Sequence, residues 1–315
     1  MLIASVILGV AMAAAAPSAP AVPATPAVSP TPGSGAVSTA TAGDRYAPDS
    51  IGFWEGSLLG LVQGVTEFLP VSSSGHLAIG HWLTEKEGSE AQRPALEAQR
   101  VAFDVAMHLA TLLAMLIYFR NDIMSLLTTR RRLLGWIVLG SVPAASIGLI
   151  FKHTVESLGG FPLFVAGAFV VNGLLLAASN YFGVEMKKLG EMKAGDSLLI
   201  GLAQAVAITP GISRSGSTIS AGLMCGMRRE EAFTFSFLLG MPAIAGAAFL
   251  EAGKISAVAF STSWGGLAAG FVVAFASGLA SIWILSRLVK RRNLLPFGLY
   301  TIGLALVVFV LWMFR

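Results

Sequence analysis

Between Gln63 and His76 the chain brings together residue types that can hold an anion and move a proton. Glu67 follows Gln63 by one helical turn, so both project from one face, and Pro70 ends that helical segment. Ser72, Ser73, Ser74 and Gly75 offer hydroxyls and free N–H groups where another short helix begins, the geometry of an N-cap and of a phosphate cradle. His76, three residues beyond Ser73, lies on roughly the same helical face. It is placed to carry a proton to or from that hydroxyl or its phosphate. Much later, Ser213, Arg214, Ser215, Gly216, Ser217 and Thr218 gather a guanidinium and several hydroxyls at a second helix start. A planar fork of donors matches phosphate oxygens bidentately. The set fits hydrolysis of an anionic phosphorylated ligand. Glu67, Ser73, His76 and Arg214 are its catalytic candidates; Gln63, Ser72, Ser74, Ser213, Ser215, Ser217 and Thr218 are its phosphate contacts. The plainer reading of Arg214 is an ion pair with Glu67 that locks two segments together, and both roles can hold in the unliganded chain. Glu55, twelve residues before Glu67, is a second carboxylate nearer the outer end of its segment. Asp104, His108, Asn172 and Glu251 read as packing hydrogen bonds in or beside spans, and His81 and His153 as interfacial.

The elements that must position these residues lie in a membrane. Of 315 residues, 55% are hydrophobic and 12% charged, about half the charge of a soluble domain. A span needs about 20 mostly apolar residues, so a chain of this length is a polytopic, all-α membrane protein without a large soluble domain. The net charge of +4 sits in short clusters between apolar runs, where orientation signals lie, and argues against a nucleic-acid partner. The single cysteine, Cys225, can make no internal disulfide. Residues 1–16 form a signal-like or anchoring apolar segment, and the Pro, Ala, Ser and Thr of 17–48 a disordered tether. The membrane-embedded catalytic domain spans 49–315.

Six apolar runs, 101–119, 133–151, 161–182, 231–252, 264–286 and 297–314, are long enough to cross the bilayer. Four shorter ones form two pairs, 51–69 with 73–83 and 197–209 with 216–227, each broken by a Pro/Ser/Gly turn. Irregular backbone at membrane depth is tolerated only where protein or a watery cavity surrounds it, so both turns are candidate sites. Placing 13 of the 21 Lys and Arg residues on one side, in the four loops around Arg120 to Arg132, Lys187 to Lys193, Arg228 to Arg229 and Arg287 to Arg292, makes all six spans alternate. Each broken pair must then return to the side from which it came, as a re-entrant hairpin.

At an offset of 141 residues, Gly60/Gly201, Leu61/Leu202, Gln63/Gln204, Val65/Val206, Ser72/Ser213, Ser74/Ser215 and Gly75/Gly216 coincide. One hairpin plus three spans forms each half, about 51–182 and 197–314. Three is odd, so the second half is expected to be inverted. Such repeats place a polar site at their interface near the midplane. They suit a transporter of a phosphorylated lipid or anion as well as an enzyme, and a ligand met at this depth is expected to carry an apolar tail.

The run Gln63-Gly64-Val65-Thr66-Glu67-Phe68-Leu69-Pro70-Val71-Ser72-Ser73-Ser74-Gly75-His76 and the run Pro210-Gly211-Ile212-Ser213-Arg214-Ser215-Gly216-Ser217-Thr218 closely resemble the two signature motifs of the bacterial undecaprenyl-pyrophosphate phosphatases of the bacitracin-resistance type. The resemblance continues through Phe103-Asp104, Tyr118-Phe119-Arg120, Gly140 to Gly148, Phe235 to Ile244 and Pro296 to Tyr300, and covers about residues 50–315. It implies hydrolysis of undecaprenyl pyrophosphate to the monophosphate at the outer side of the bacterial cytoplasmic membrane, recycling the cell-wall lipid carrier. It also implies a divalent cation, Mg²⁺ or Ca²⁺, and leaves room for a homo-oligomer. By the same resemblance Glu67 binds the metal or activates the nucleophile, Ser73 is nucleophile or phosphate ligand, His76 transfers a proton and Arg214 clamps the pyrophosphate. Some members carry Glu at the place of Gln63. A two-carboxylate scheme here would need Glu55.

Overall fold

The computed structural model describes residues 51–84, 93–179, 181, 187–252, 264–290 and 294–315. The segments 1–16 and 17–48 lie outside them. The described chain is helical: α1 (Phe53–Phe68), α2 (Ser73–Thr84), α3 (Arg93–Tyr118), α4 (Arg120–Thr128), α5 (Arg131–Ile150), α6 (Lys152–Leu158), α7 (Pro162–Ser179), α8 (Ala194–Val206), α9 (Arg214–Met224), α10 (Arg229–Ala252), α11 (Trp264–Lys290) and α12 (Leu295–Met313). A 3₁₀ turn covers Leu189–Glu191. Lys187 and Met227 form an isolated bridge, and no strand occurs among the described residues. Within α3 the stretch Val101–Tyr118, and the whole of α5, α7, α10, α11 and α12, are long and apolar enough to cross a membrane. These match the six runs expected to span.

Contacts between loops sort by side as the basic residues do. Ser197 of α8 donates to the Trp136 carbonyl of α5, Lys187 bridges to Met227, Tyr118 donates to Ser286 and Lys290 pairs with Glu230. All of these belong to the basic side. At the other side Gly266 packs on the Ile51 carbonyl, and Arg315 donates to the Trp82 carbonyl. The outer ends of α1 and α2 thus meet the start of α11 and the end of the chain, and those of α8 and α9 meet each other's flanking residues.

In lipid there is little hydrophobic drive between helices, so close approach of backbones has to supply the packing. Gly56 and Gly60 of α1 meet Gly266 and Gly270 of α11 so tightly that a Cβ would overlap backbone. Gly201 of α8 meets Gly140 of α5 in the same way, and Gly173 of α7 meets Gly298 of α12. The first broken pair is thus docked on a helix of the second half, and the second pair on a helix of the first. Large apolar side chains such as Val138, Val142 and Leu149 on α5, and Leu306, Val307 and Phe309 on α12, stay exposed. An apolar surface this extensive is a lipid-facing one.

Candidate active site

Each broken pair turns over four to seven irregular residues, and each second helix begins at a chemically active side chain. Ser73 is the first residue of α2 and Arg214 the first of α9. From sequence the helix after the second break begins at Gly216; it begins two residues earlier because Ser213 caps it, accepting the Gly216 N–H at 3.2 Å. Ser72 plays the same part before α2, accepting the Gly75 N–H at 3.3 Å. A first-turn side chain points back over the helix N-terminus, which turns both Ser73 and Arg214 toward the breaks.

The two turns are bonded to each other. Ser72 Oγ also accepts the N–H of Gly211, 3.1 Å away across the interface. Asn172 of α7 sits between them: its amide donates to the Pro70 carbonyl at 3.1 Å while its Oδ1 accepts the Ser213 N–H at 2.9 Å. Asn172, fully buried, is the packing hydrogen bond that its type suggested. Gly75 lies so near Gly211 that an added Cβ would come within 2.8 Å of its Cα, and Gly211 has φ +98°, a conformation open to glycine. Ser72 holds φ 69° without that freedom. Its two accepted hydrogen bonds offset the strain.

At this joint Glu67, the last-turn carboxylate of α1, receives three donors. Arg214 Nη2 donates to Oε1 at 3.0 Å; Ser73 Oγ donates to Oε2 at 2.8 Å, and Gln63 Nε2 to Oε2 at 3.1 Å. The Arg214 side chain is 16% exposed and that of Glu67 7%. The ion pair expected as the plainer reading is therefore present. It coexists with the Ser73 hydroxyl contact on the same carboxylate. Phe68, the neighbour of Glu67 in sequence, joins a cluster with Phe119, Phe233 and Phe237, with ring centroids 4.6 to 5.7 Å apart for the pairs in contact. Beside Arg214 lies Gly240 of α10, where any Cβ would strike the guanidinium.

His76 is near this cluster but serves different partners. Its Nδ1 is 2.8 Å from the Ser72 carbonyl oxygen and its Nε2 2.8 Å from the Tyr300 hydroxyl. No hydrogen bond joins His76 to the Ser73 hydroxyl as expected, because both ring nitrogens take other partners while Ser73 donates to Glu67. The hydroxyls proposed as phosphate contacts divide. Ser74 is exposed, whereas Ser72, Ser213, Ser215, Ser217 and Thr218 are buried. Thr218 Oγ1 donates to the Arg214 carbonyl at 2.7 Å and also meets Ser236, and Ser213 and Ser215 lie 3.2 Å apart. These groups shape the turn that presents Arg214. Ser217 Oγ has no partner among the described residues. Glu55 is exposed in the first turn of α1, about 18 Å along the axis from Glu67 at 1.5 Å per residue, and the structure does not bring the two carboxylates together.

His108 Nδ1 meets the Asp104 carbonyl at 2.8 Å, a local helix bond. Among the described residues no three His, Cys, Asp or Glu side chains gather as a metal cage. Tyr300 and Gly240 lie in stretches that carry the family resemblance, but residue type gives neither a role. Tyr300 lies 224 positions from His76.

The family model described as "Bacitracin resistance protein BacA" matches residues 56–307. The chain is similar to "Undecaprenyl-diphosphatase" of Syntrophotalea carbinolica, with 43% identity over 260 residues, covering 79% of this chain and 94% of that one. It is also similar to "Undecaprenyl-diphosphatase 1" of Pseudoalteromonas translucida, 36% identical over 267 residues and covering 80% and 97%. To "Undecaprenyl-diphosphatase" of Thermodesulfovibrio yellowstonii it is 36% identical over 258 residues, covering 82% and 96%.

Proposed function

The chain belongs to the bacitracin resistance protein BacA family and is an undecaprenyl-diphosphatase, and on that premise we propose that the joint of Glu67, Ser73 and Arg214 is its hydrolytic centre. The observation that carries this reading is the single carboxylate of Glu67, shared by a hydroxyl and a guanidinium from the two opposed breaks. Phosphoryl transfer is mostly positioning and charge neutralisation. Arg214 exchanges Glu67 for the pyrophosphate oxygens of the arriving lipid, which neutralises the substrate and frees the carboxylate to accept the Ser73 proton. Ser73 Oγ then attacks the terminal phosphorus, and the bond to the bridging oxygen breaks with its electrons leaving on the lipid monophosphate. Water releases inorganic phosphate from the serine and restores its hydroxyl. The starts of α2 and α9 add unpaired N–H groups that favour negative charge.

The donor set fits a divalent cation held jointly with substrate. Mg²⁺ is commonly bound by one or two carboxylates together with phosphates and water, and Glu67 with the Gln63 carbonyl oxygen offers one carboxylate and one neutral oxygen. When bound, such an ion would withdraw charge from the pyrophosphate. Chelator should then lower turnover, with Mg²⁺ or Ca²⁺ restoring it; turnover that is indifferent to chelator would remove the cation from the scheme.

The loop contacts and the swapped docking of α1 on α11 and α8 on α5 support an inverted repeat, in which the opposed breaks meet within the bilayer. The basic residues support a cytoplasmic-membrane orientation with the Glu55 end outside. The deciding assay is phosphate release from undecaprenyl pyrophosphate by purified protein in detergent, where no compartments exist for a transporter to work between. Wild-type protein should release phosphate. Arg214→Lys, which keeps the charge opposite Glu67 but loses the fork, should lose most of it. An Arg214→Lys protein with wild-type turnover would sink the assignment of this centre.

A further inference from the structure

The scheme above leaves His76 without a route for its proton, and the contacts of its ring supply one. A carbonyl oxygen only accepts, so the 2.8 Å contact from Nδ1 to the Ser72 carbonyl pins a hydrogen on Nδ1 whether the ring is neutral or charged. Proton exchange is left to Nε2, and the group on its axis, 2.8 Å away, is the Tyr300 hydroxyl of α12. The two rings lie parallel, 3° apart with centroids at 5.7 Å, and Phe169 of α7 braces the imidazole edge-on at 5.5 Å. Rotation away from Tyr300 is thus resisted from both sides. Tyr300 is 49% exposed, and its hydrogen bond with His76 is itself exposed.

We propose that Tyr300 is the proton-exchange partner of His76: Nδ1 keeps its hydrogen throughout turnover, and Nε2 gains and loses its proton across the Tyr300 hydroxyl. A phenol is both donor and acceptor. It donates to a bare Nε2 and, with its own hydrogen turned outward, accepts from a protonated one. The Nε2 proton passes to the phenol oxygen as the phenol hydrogen passes to a phosphate oxygen or a water, so the phenol ends neutral and the imidazole loses one positive charge. The reverse transfer reloads it. This assignment rests on the hydrolytic reading for the destination of the proton and goes beyond it in naming the nitrogen and the carrier.

Tyr300→Phe tests it, because the substitution keeps the stacked ring and removes only the hydroxyl. With undecaprenyl pyrophosphate in detergent, kcat should fall by about tenfold or more while KM stays within about twofold, the pattern of an interaction used in the transition state. In protein labelled with ¹⁵N-histidine, with the His76 signals assigned by their loss in His76→Gln, the Nε2 resonance should move in Tyr300→Phe while Nδ1 remains an N–H. An unchanged kcat, a rise in KM alone, or a fall in kcat with an unmoved Nε2 signal would each overturn the proposal. A wild-type chain without turnover would sink the hydrolytic reading as well, whereas an active wild type with an equally active Tyr300→Phe sinks this inference alone.

Discussion

Glu67 joins two kinds of work at one carboxylate. It neutralises a part-buried Arg214, and it accepts the Ser73 hydroxyl hydrogen. Removing one partner of a fully buried pair costs about 3–5 kcal/mol, an upper bound for this part-buried one, so the proposed exchange of Arg214 onto phosphate depends on the incoming ligand replacing the negative charge it leaves. Ser73→Ala separates the two roles open to that hydroxyl. If Ser73 attacks, phosphate release should fall by about a thousandfold or more, roughly 4 kcal/mol; a loss of about tenfold would make it a ligand and water the attacker. Ser72 has the opposite profile. Ser72→Ala leaves the N–H groups of Gly75 and Gly211 without their acceptor, at about 1–3 kcal/mol for each buried orphan. Thermal unfolding in detergent should show that loss, with kcat per folded molecule changing far less than in Ser73→Ala.

At the scale of elements, α1 and α8 pack closely on α11 and α5 because glycines face each other across both pairs. A stripe of Gly56 and Gly60 against Gly266 and Gly270 lets backbones touch where side chains would hold them apart. Gly60→Val should therefore undock α1 from α11, destabilising the protein by about 1–3 kcal/mol or more, with a lowered unfolding temperature in detergent as the measure. Gly240→Ala is the sharper probe. Its methyl meets the mobile end of Arg214 rather than backbone, so the fold should survive while the guanidinium shifts away from Glu67. A misplacement near 1 Å can cost about a hundredfold. The expected outcome is a large fall in kcat/KM at nearly unchanged unfolding temperature, and equal losses in both would show that Gly240 acts through packing.

For the whole molecule, the proposed inverted repeat has the two breaks reached from opposite sides of one bundle. With Cys225→Ser as background, Ser157→Cys should react with a membrane-impermeant maleimide in intact spheroplasts, and Lys193→Cys only after permeabilisation. Labelling of both without permeabilisation would overturn the alternation of spans. The same arrangement explains why contacts far apart in sequence repeat: Gly75 touches Gly211 while Gly216 faces Pro70, and Ser72 and Ser213 cap equivalent helices.

How much of this was legible beforehand depended on range. The spans, the breaks, and Glu67, Ser73 and Arg214 could be read directly, because burial of charge in lipid is costly enough to make each exception informative. Even the ion pair between Glu67 and Arg214 followed from opposite charges at two breaks. The helix starts at Ser73 and Arg214 could not be placed to the residue, since caps at Ser72 and Ser213 compete with turn residues on either side. Nor could the partner of His76, for helical spacing favours Ser73 whereas the observed bond goes to Tyr300 on another helix. Composition and spacing alone were enough to read a membrane-embedded chain with two charged breaks. Only the tertiary structure decided which donor each acceptor takes, because hydrogen-bond partners are settled by atoms within about 3 Å of each other, and helices that meet at that distance here lie more than a hundred residues apart along the chain.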